Sequence, residues 1–333
     1  MENNILLSIC IPTFNRAESL SYSLRSVIEA TKGFESSVEI IVSNNCSTDL
    51  TNEVLKSYSS ISNYKYFTNQ SNIGFNYNYF KLIDLYSSGK YCWIIGDDDF
   101  LKPDSVSKVL AILSLYLETD FIYANYETKP FRLIIKDFND NSQIFPITDL
   151  YEGKGNSLCS FNELLNKNIG KTNILLTYIS ASIFNRKLLK EFDKSIFSDK
   201  SWVTFRDVFP HSYMFGSTMI NRTAYYFDNP LIIAAVQEKD WDQFLPFLYL
   251  KYLPELSHYY KSIGYSKKEL FKTDEIIVYS GLIHFFINLK FSWDSINARL
   301  IFVKYYLLNP ALFSELFKLF IKLSKKFCRK NLE

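Results

Sequence analysis

The sequence predicts an α/β protein with a mostly parallel, Rossmann-like sheet flanked by helices and followed by a helical C-terminal extension. Three observations predict it. Short apolar runs alternate with stretches of helical periodicity through the first 126 residues. Polar clusters follow several of those runs directly, as loops gathered at one edge of a parallel sheet would. Beyond residue 240 the chain becomes helical in pattern and rich in aromatic residues.

The elements follow in order. Residues 5–12 (ILLSICIP) form an apolar strand stopped by Pro12, and residues 17–30 form a helix through Leu20, Leu24, Val27 and Ile28. Residues 38–42 (VEIIV) form a second strand, and 47–58 a helix opened by Ser47 or Thr48. A third strand at 64–67, a helix at 76–86 and a fourth strand at 91–95 continue the alternation. A helix at 104–117 then leads to a strand at 120–126. Ser160-Phe161-Asn162-Glu163 reads as a capping box. Residues 174–184 are apolar, and periodicity does not choose between strand and helix there. Residues 224–236 supply two short strand-like runs around Asp228-Asn229-Pro230. The expected division is a sheet domain over 1–235 and a helical region over 236–333.

Composition narrows the class. A chain of 333 residues with 47% apolar and 22% charged residues is globular rather than disordered or fibrous. Its five cysteines are scattered without a C-x-x-C pair, so neither a zinc site nor a disulfide framework is indicated, and a reducing cytoplasm is the expected compartment. Glu2 and the lack of a basic start do not suit a signal peptide. The uncharged stretch 276–289 is shorter than the ~20 residues a membrane span requires.

Four constellations carry chemistry. Pro12-Thr13-Phe14-Asn15-Arg16 leaves Thr13, Asn15 and Arg16 at the carboxyl end of the first strand, where they can hold a base, a ribose or a phosphate. Ser43-Asn44-Asn45-Cys46-Ser47-Thr48-Asp49 delivers amides and hydroxyls after the second strand. Asn69 to Asn78 (NQSNIGFNYN) is a polar loop in which Gly74 permits a tight approach before a helix. Turn and capping chemistry alone accounts for each of these three equally well. Asp97-Asp98-Asp99 is harder to dismiss, because it follows a buried run and precedes Phe100-Leu101. Adjacent carboxylates repel unless something positive sits among them. A divalent cation with a phosphate-bearing substrate is the simplest guest. At strand spacing Asp97 and Asp99 point the same way and Asp98 elsewhere.

Taken together, SICIPTFNR, EIIVSNNCSTD, NIGFNYN and GKYCWIIGDDD resemble the family-2 glycosyltransferases of the GT-A fold. They are most similar to the bacterial O-antigen and capsule enzymes of abequosyltransferase type. The resemblance covers residues 5–115 and is thin afterwards. It implies transfer of a sugar from a nucleotide-sugar donor to a glycan acceptor, lipid-linked by expectation, with inversion and with Mg2+ or Mn2+. It further implies Pro12, Thr13, Asn15, Arg16, Asn44, Ser47 and Asn76 around the nucleotide-sugar, with Asp97 and Asp98 beside it and Asp99 as the direct metal ligand. Relatives usually carry Asp where this chain has Asn44. An inverting member also needs a general base at the start of a downstream helix. Asp207 in FRDVFPH is the expected base, with Asp199 and His211 as rivals. Tyr178, Ser180 and Trp241 are expected acceptor contacts. A sugar-phosphate nucleotidyltransferase, or a silent nucleotide- or glycan-binding module, is the alternative reading.

After Pro310, Leu312, Leu316, Leu319, Leu323 and Phe327 recur at helical spacing beside a stripe of Lys318, Lys322, Lys325 and Arg329. Such a basic amphipathic helix suits an anionic membrane surface. The chain is therefore expected at the inner face of the plasma membrane, cytoplasmic and peripheral, with no nucleic-acid partner.

Overall fold

Leu7–Thr13 (β1) is buried at every position. The strand alternation sends Leu7, Ile9 and Ile11 into one core and Cys10 into the other. The structure is a computed structural model that describes residues 5–139, 155–166, 174–198, 203–236, 247–287 and 311–312. Val38–Asn44 (β2), Tyr64–Thr68 (β3) and Tyr91–Ile94 (β4) complete a parallel set, with β1 between β2 and β4. The crossovers are carried by Ala17–Thr31 (α1), Thr51–Ser57 (α2) and Gly74–Lys81 (α3), the last running into a π-helical turn over Leu82–Tyr86. Leu20, Leu24, Val27 and Ala30 of α1 pack in one core with Leu7, Ile9 and Ile11.

Downstream lie Asp99–Leu101 (β5), Ser105–Leu115 (α4), Phe121–Pro130 (β6) and Phe131–Asn139 (α5). Ser157–Ser160 (β7), Phe161–Asn166 (α6), Ser182–Asn185 (β8) and Arg186–Lys190 (α7) come next. Phe205–Val208 (α8), Pro210–Thr218 (α9) and Thr223–Val236 (β9) follow. Among the described residues the sheet order is β3-β2-β1-β4-β8-β6-β9-β5, with β7 on β9. The α/β class holds, and the sheet is mixed. β8 runs antiparallel to β4 and β6, β5 and β7 run antiparallel to β9, and β6 and β9 pair in parallel. The two runs expected over 224–236 are one 14-residue strand, its pairing with β6 shifted in register between Ala124 and Tyr126.

Leu253–Ser262 (α10) and Lys267–Ile287 (α11) supply the expected C-terminal helices. Leu256, Tyr260, Leu270 and Ile277 enter the same core as Cys10, Phe184 and Phe215, so these helices cover one face of the sheet. Among the described residues no helix is long and apolar enough to cross a membrane. The basic stripe after Pro310 lies outside the described residues, which include only Ala311 and Leu312 of that segment.

Local chemistry explains two departures from simple patterning. Glu39 is a charge in a buried strand, and it persists because it accepts from Ser8 Oγ (2.6 Å), Ser88 N (2.6 Å) and Ser88 Oγ (2.8 Å), with Lys65 Nζ at 3.4 Å. These hydrogen bonds and the Lys65 charge hold its carboxyl below the usual range against the opposing effect of burial. The helix expected from Ser47 starts instead at Thr51, because Ser47 and Thr48 are spent on the neighbouring loop. Ser47 Oγ accepts from Asn15 N (2.8 Å), and Thr48 N donates to Asn15 Oδ1 (2.8 Å). Asp49 instead satisfies the first N–H of each neighbouring helix, accepting from Ala17 N of α1 and Thr51 N of α2, both at 3.0 Å.

Candidate active site

β1 is the switch point of the parallel set, since the chain crosses to β2 on one side and β4 on the other. A crevice is expected outside the carboxyl ends of strands at such a point. A cleft of 520 Å³ opens there, lined by Pro12 and Thr13 at the end of β1 with Arg16 beyond it, Asn45 after β2, and Gly96 with Asp97, Asp98 and Asp99 after β4. Gly74, Phe75 and Asn78 of α3 form another wall, and Thr177, Tyr178 and Ser180 a third.

The triplet is held by partners from across the fold. Asp97 Oδ2 accepts from Thr13 Oγ1 at 2.8 Å, and Asp99 Oδ2 accepts from Ser180 Oγ at 2.5 Å. Ser180 Oγ also accepts from Gly96 N at 3.0 Å, and Ser23 Oγ of α1 donates to Asp99 O at 2.6 Å. A Cβ on Gly96 would come within 2.6 Å of Asp99 Oδ2, so a side chain there would displace the Asp99 carboxylate. Burial, then the Asp98 charge and to a lesser degree that of Asp99, push Asp97 up to about 7 against the Thr13 hydrogen bond and the Arg16 charge. The cleft therefore crowds three carboxylates along one wall.

Amides build the opposite rim. Asn45 Oδ1 accepts from Asn69 Nδ2 and Ile73 N, both at 3.0 Å, while its Nδ2 donates to Asn72 Oδ1 at 2.8 Å and to Gly74 O at 3.2 Å. Asn78 Oδ1 accepts from Ser43 Oγ (2.6 Å) and Asn69 Nδ2 (2.9 Å). This network fixes the turn at Gly74, whose φ of 78° suits glycine. Sequence reasoning noticed the asparagine-rich segment but missed Asn45 and Asn78 as cleft residues. Their only sequence signal was the density of asparagines.

Other expected site residues stand elsewhere. Asn44 is fully buried and closes a turn, accepting from Ser47 N (3.0 Å) and donating to Asn52 Oδ1 (2.9 Å). Asn15, in the left-handed region at φ 52°, and Ser47 brace the loops behind the lining. Asn76 donates to Asp207 O at 3.0 Å, and among the described residues its buried Oδ1 has no partner. Asp207 is not among the lining residues. Oδ1 accepts from Ser198 N (2.7 Å), and Oδ2 accepts from Thr204 N (3.0 Å) and Thr204 Oγ1 (2.7 Å) in a capping box. Asp199 and Trp241 lie outside the described residues.

Thr177, Tyr178 and Ser180 reach the cleft from a strained turn. Leu175 and Leu176 occupy the left-handed region at φ 50° and 60°, unusual for leucine. The start of α9 pins this turn, with Nε2 of His211 3.2 Å from Thr177 O and Ser212 Oγ donating to Leu176 O at 3.1 Å. Burial pulls His211 down to about 4, and among the described residues its Nδ1 has no partner. His211 is thus a buried neutral side chain that positions cleft residues. Between about pH 6.5 and 4 the unfolded chain binds a proton here that the folded chain refuses, so stability falls as pH falls. Denaturant melts at pH 7.5 and 5 are expected to show a drop about 2 kcal/mol larger in wild type than in His211→Gln.

Among the described residues no group of three or more His, Cys, Asp or Glu side chains is arranged to enclose a metal ion. A cation here would take one or two carboxylates and complete its shell from substrate phosphate and water, the usual habit of Mg2+. A run of three carboxylates lining one cleft fits such a guest.

An α/β sheet with an acidic triplet at its switch-point cleft is the layout of a nucleotide-dependent transferase, and the family comparison agrees. The profile of glycosyl transferase family 2 matches residues 8–192, and the chain belongs to that family. It is 40% identical over 117 residues to abequosyltransferase RfbV of Salmonella typhimurium, a stretch covering 34% of this chain and 33% of that protein. The chain thus matches about a third of that relative's length. Two solved structures share the fold. TarS 1-349 of S. aureus in complex with UDP has a TM-score of 0.56 at 16% identity, over 91% of this chain and 81% of that one. Mannosyltransferase PcManGT of Pyrobaculum calidifontis, with GDP-Man and Mn2+, has a TM-score of 0.56 at 12% identity, over 94% and 84%.

Proposed function

We propose that this chain transfers a sugar from a nucleotide-sugar to a glycan acceptor, lipid-linked, during surface-polysaccharide (O-antigen or capsule) synthesis. The observation that carries the reading is the triplet Asp97-Asp98-Asp99 sharing one cleft with Pro12, Thr13 and Arg16 at the switch point of the sheet. In this reading Thr13 and Arg16 meet the nucleotide, while Asn15, Asn44 and Ser47 hold the loops that present them. Asp99 is the metal ligand, oriented by Ser180 as metal-bound carboxylates commonly are. Asp97 and Asp98 stand beside it. A bound Mg2+ or Mn2+ would neutralise the diphosphate leaving group.

The chemistry is a single displacement with inversion. The acceptor oxygen bonds to the anomeric carbon, the bond from that carbon to the diphosphate oxygen breaks, and the acceptor proton goes to Asp207. Oδ1 of Asp207 accepts one hydrogen bond and Oδ2 two, which leaves room for a fourth donor on a carboxylate. The backbone link from Asp207 O to Asn76 ties this group to α3, a wall of the donor cleft.

Screening UDP-, dTDP-, GDP- and CDP-sugars by thermal shift with Mn2+ is expected to give one metal-dependent rise in Tm, since a ligand of the native state alone stabilises it. Turnover must accompany it, because a shift without sugar transfer would favour a silent binding module. We further propose that the chain sits peripherally at the cytoplasmic face of the membrane through its basic C-terminal segment. Truncation at Pro310 should move it from the membrane to the soluble fraction, and unchanged partitioning would refute that placement.

A further inference from the structure

A second cleft, of 430 Å³, lies between α8 and α10, away from the acidic triplet. Phe205, Arg206, Lys251, Glu255, His258 and Tyr259 line it. Among the described residues neither Arg206 nor Lys251 makes an ion pair, whereas Lys261, farther along α10, is paired with Asp274 at 2.5 Å. Among the described residues the buried Arg206 Nε has no hydrogen-bond acceptor. Its guanidinium lies 5.9 Å from the centre of the Tyr213 ring, and Tyr213 stacks on Tyr259 at 4.2 Å. An aromatic wall thus steadies the guanidinium plane without satisfying Nε. Among the described lining residues Glu255 is the single carboxylate, against Arg206 and Lys251.

A buried cationic donor without an acceptor is unfavourable, so a site that retains one is arranged for an anion. The planar fork of arginine matches phosphate oxygens, and lysine adds a point charge. Location gives this anion a role. Arg206 precedes Asp207 in the chain, and the main-chain oxygen of Asp207 is held by Asn76 of α3. One hydrogen bond thus links the segment beside the basic cleft to α3, whose Gly74, Phe75 and Asn78 line the donor cleft. We propose that the cleft between α8 and α10 binds a phosphate group carried by the acceptor, with Arg206 and Lys251 as its ligands. The anion site stands on its own observations, while its assignment to an acceptor rests on the transferase reading above.

Calorimetric titration of the full chain with inorganic pyrophosphate in EDTA tests the site without donor, metal or turnover. Without metal the acidic triplet repels pyrophosphate, so the donor cleft does not compete. One pyrophosphate per chain is expected, bound at least tenfold more weakly by Arg206→Gln and by Lys251→Gln and equally well by Asp99→Asn. Equal affinity in the two basic-cleft variants, or a loss in Asp99→Asn alone, would overturn the proposal. Lys251 is only partly buried, so its variant keeps the test valid if Arg206→Gln folds poorly. A parallel arm uses phosphatidylcholine vesicles with and without phosphatidylglycerol. Arg206-dependent binding to the anionic vesicles without pyrophosphate binding would assign the cleft to a membrane surface and refute the acceptor phosphate. A chain that transferred no sugar but bound pyrophosphate in this pattern would retain the anion site and lose only its assignment to an acceptor.

Discussion

Asp99→Asn is expected to reduce sugar transfer by about 10²- to 10³-fold while leaving Tm unchanged or a few degrees higher. The two effects have one cause. Asp99 is 4% exposed and lies in a run of three carboxylates, where burial and neighbouring charge already drive Asp97 up to about 7. Removing one charge relieves that repulsion, and the side-chain oxygen of asparagine can still accept from Ser180 Oγ. The geometry survives while the negative charge that would hold a cation and its diphosphate is lost. Stability without activity is the mark of a site whose strain serves function. A Tm that fell by several degrees, with activity retained, would show that Asp99 is a structural acceptor for Ser180 and nothing more. Ser180→Ala is the companion variant. It leaves the charge, removes its orienting partner, and should weaken Mn2+ dependence by a smaller factor than Asp99→Asn does, on the order of tenfold to a hundredfold.

Asp207→Asn should act on two measurable quantities at once. Loss of a general base lowers kcat by about 10²- to 10⁴-fold with little change in KM for the donor. The amide also places an NH2 group where one carboxylate oxygen accepts from Ser198 N or from Thr204, leaving a buried donor unsatisfied at about 1–3 kcal/mol. Thr204→Ala separates the two contributions. It deletes the capping hydroxyl, at about 0.5–2 kcal/mol, and leaves the carboxylate in place. Stopped assays should therefore find Thr204→Ala less stable but close to wild type in kcat. If both variants lose stability and neither loses kcat, Asp207 is a cap and loop clamp alone, and the proton goes elsewhere.

Much of this architecture was legible because it is local. The first strands and helices come from side-chain periodicity within windows of five to fifteen residues, although Pro12 does not stop β1, which stays paired with β2 through Thr13. The capping box at Ser160 and Glu163 forms as read, with Ser160 N donating to Glu163 Oε2 at 2.8 Å and Glu163 N to Ser160 Oγ at 3.2 Å. The downstream strand directions were not legible, because a short apolar run carries no information about its partner. The segment at 174–184 shows why. It became two 3-10 turns and a strand only because α9 pins Leu176 and Thr177 and β8 fits between β4 and β6.

The site divides along the same line. By itself the sequence determined that polar loops follow the strands and that three carboxylates end a buried one, since both are facts of composition along a few residues. Which of those side chains enter the cleft was decided by tertiary structure. Asn44 and Asn45 differ by one position, yet the first closes a turn on Ser47 and Asn52 while the second faces the cleft and anchors α3. Asp99 meets Ser180 across 81 residues, and Asn76 meets Asp207 across 131. Hydrogen bonds of that span depend on the register and packing of the whole sheet. A carboxylate's neighbours, its charge state and its share of the chemistry are therefore properties of the fold, which the local pattern makes possible but does not specify.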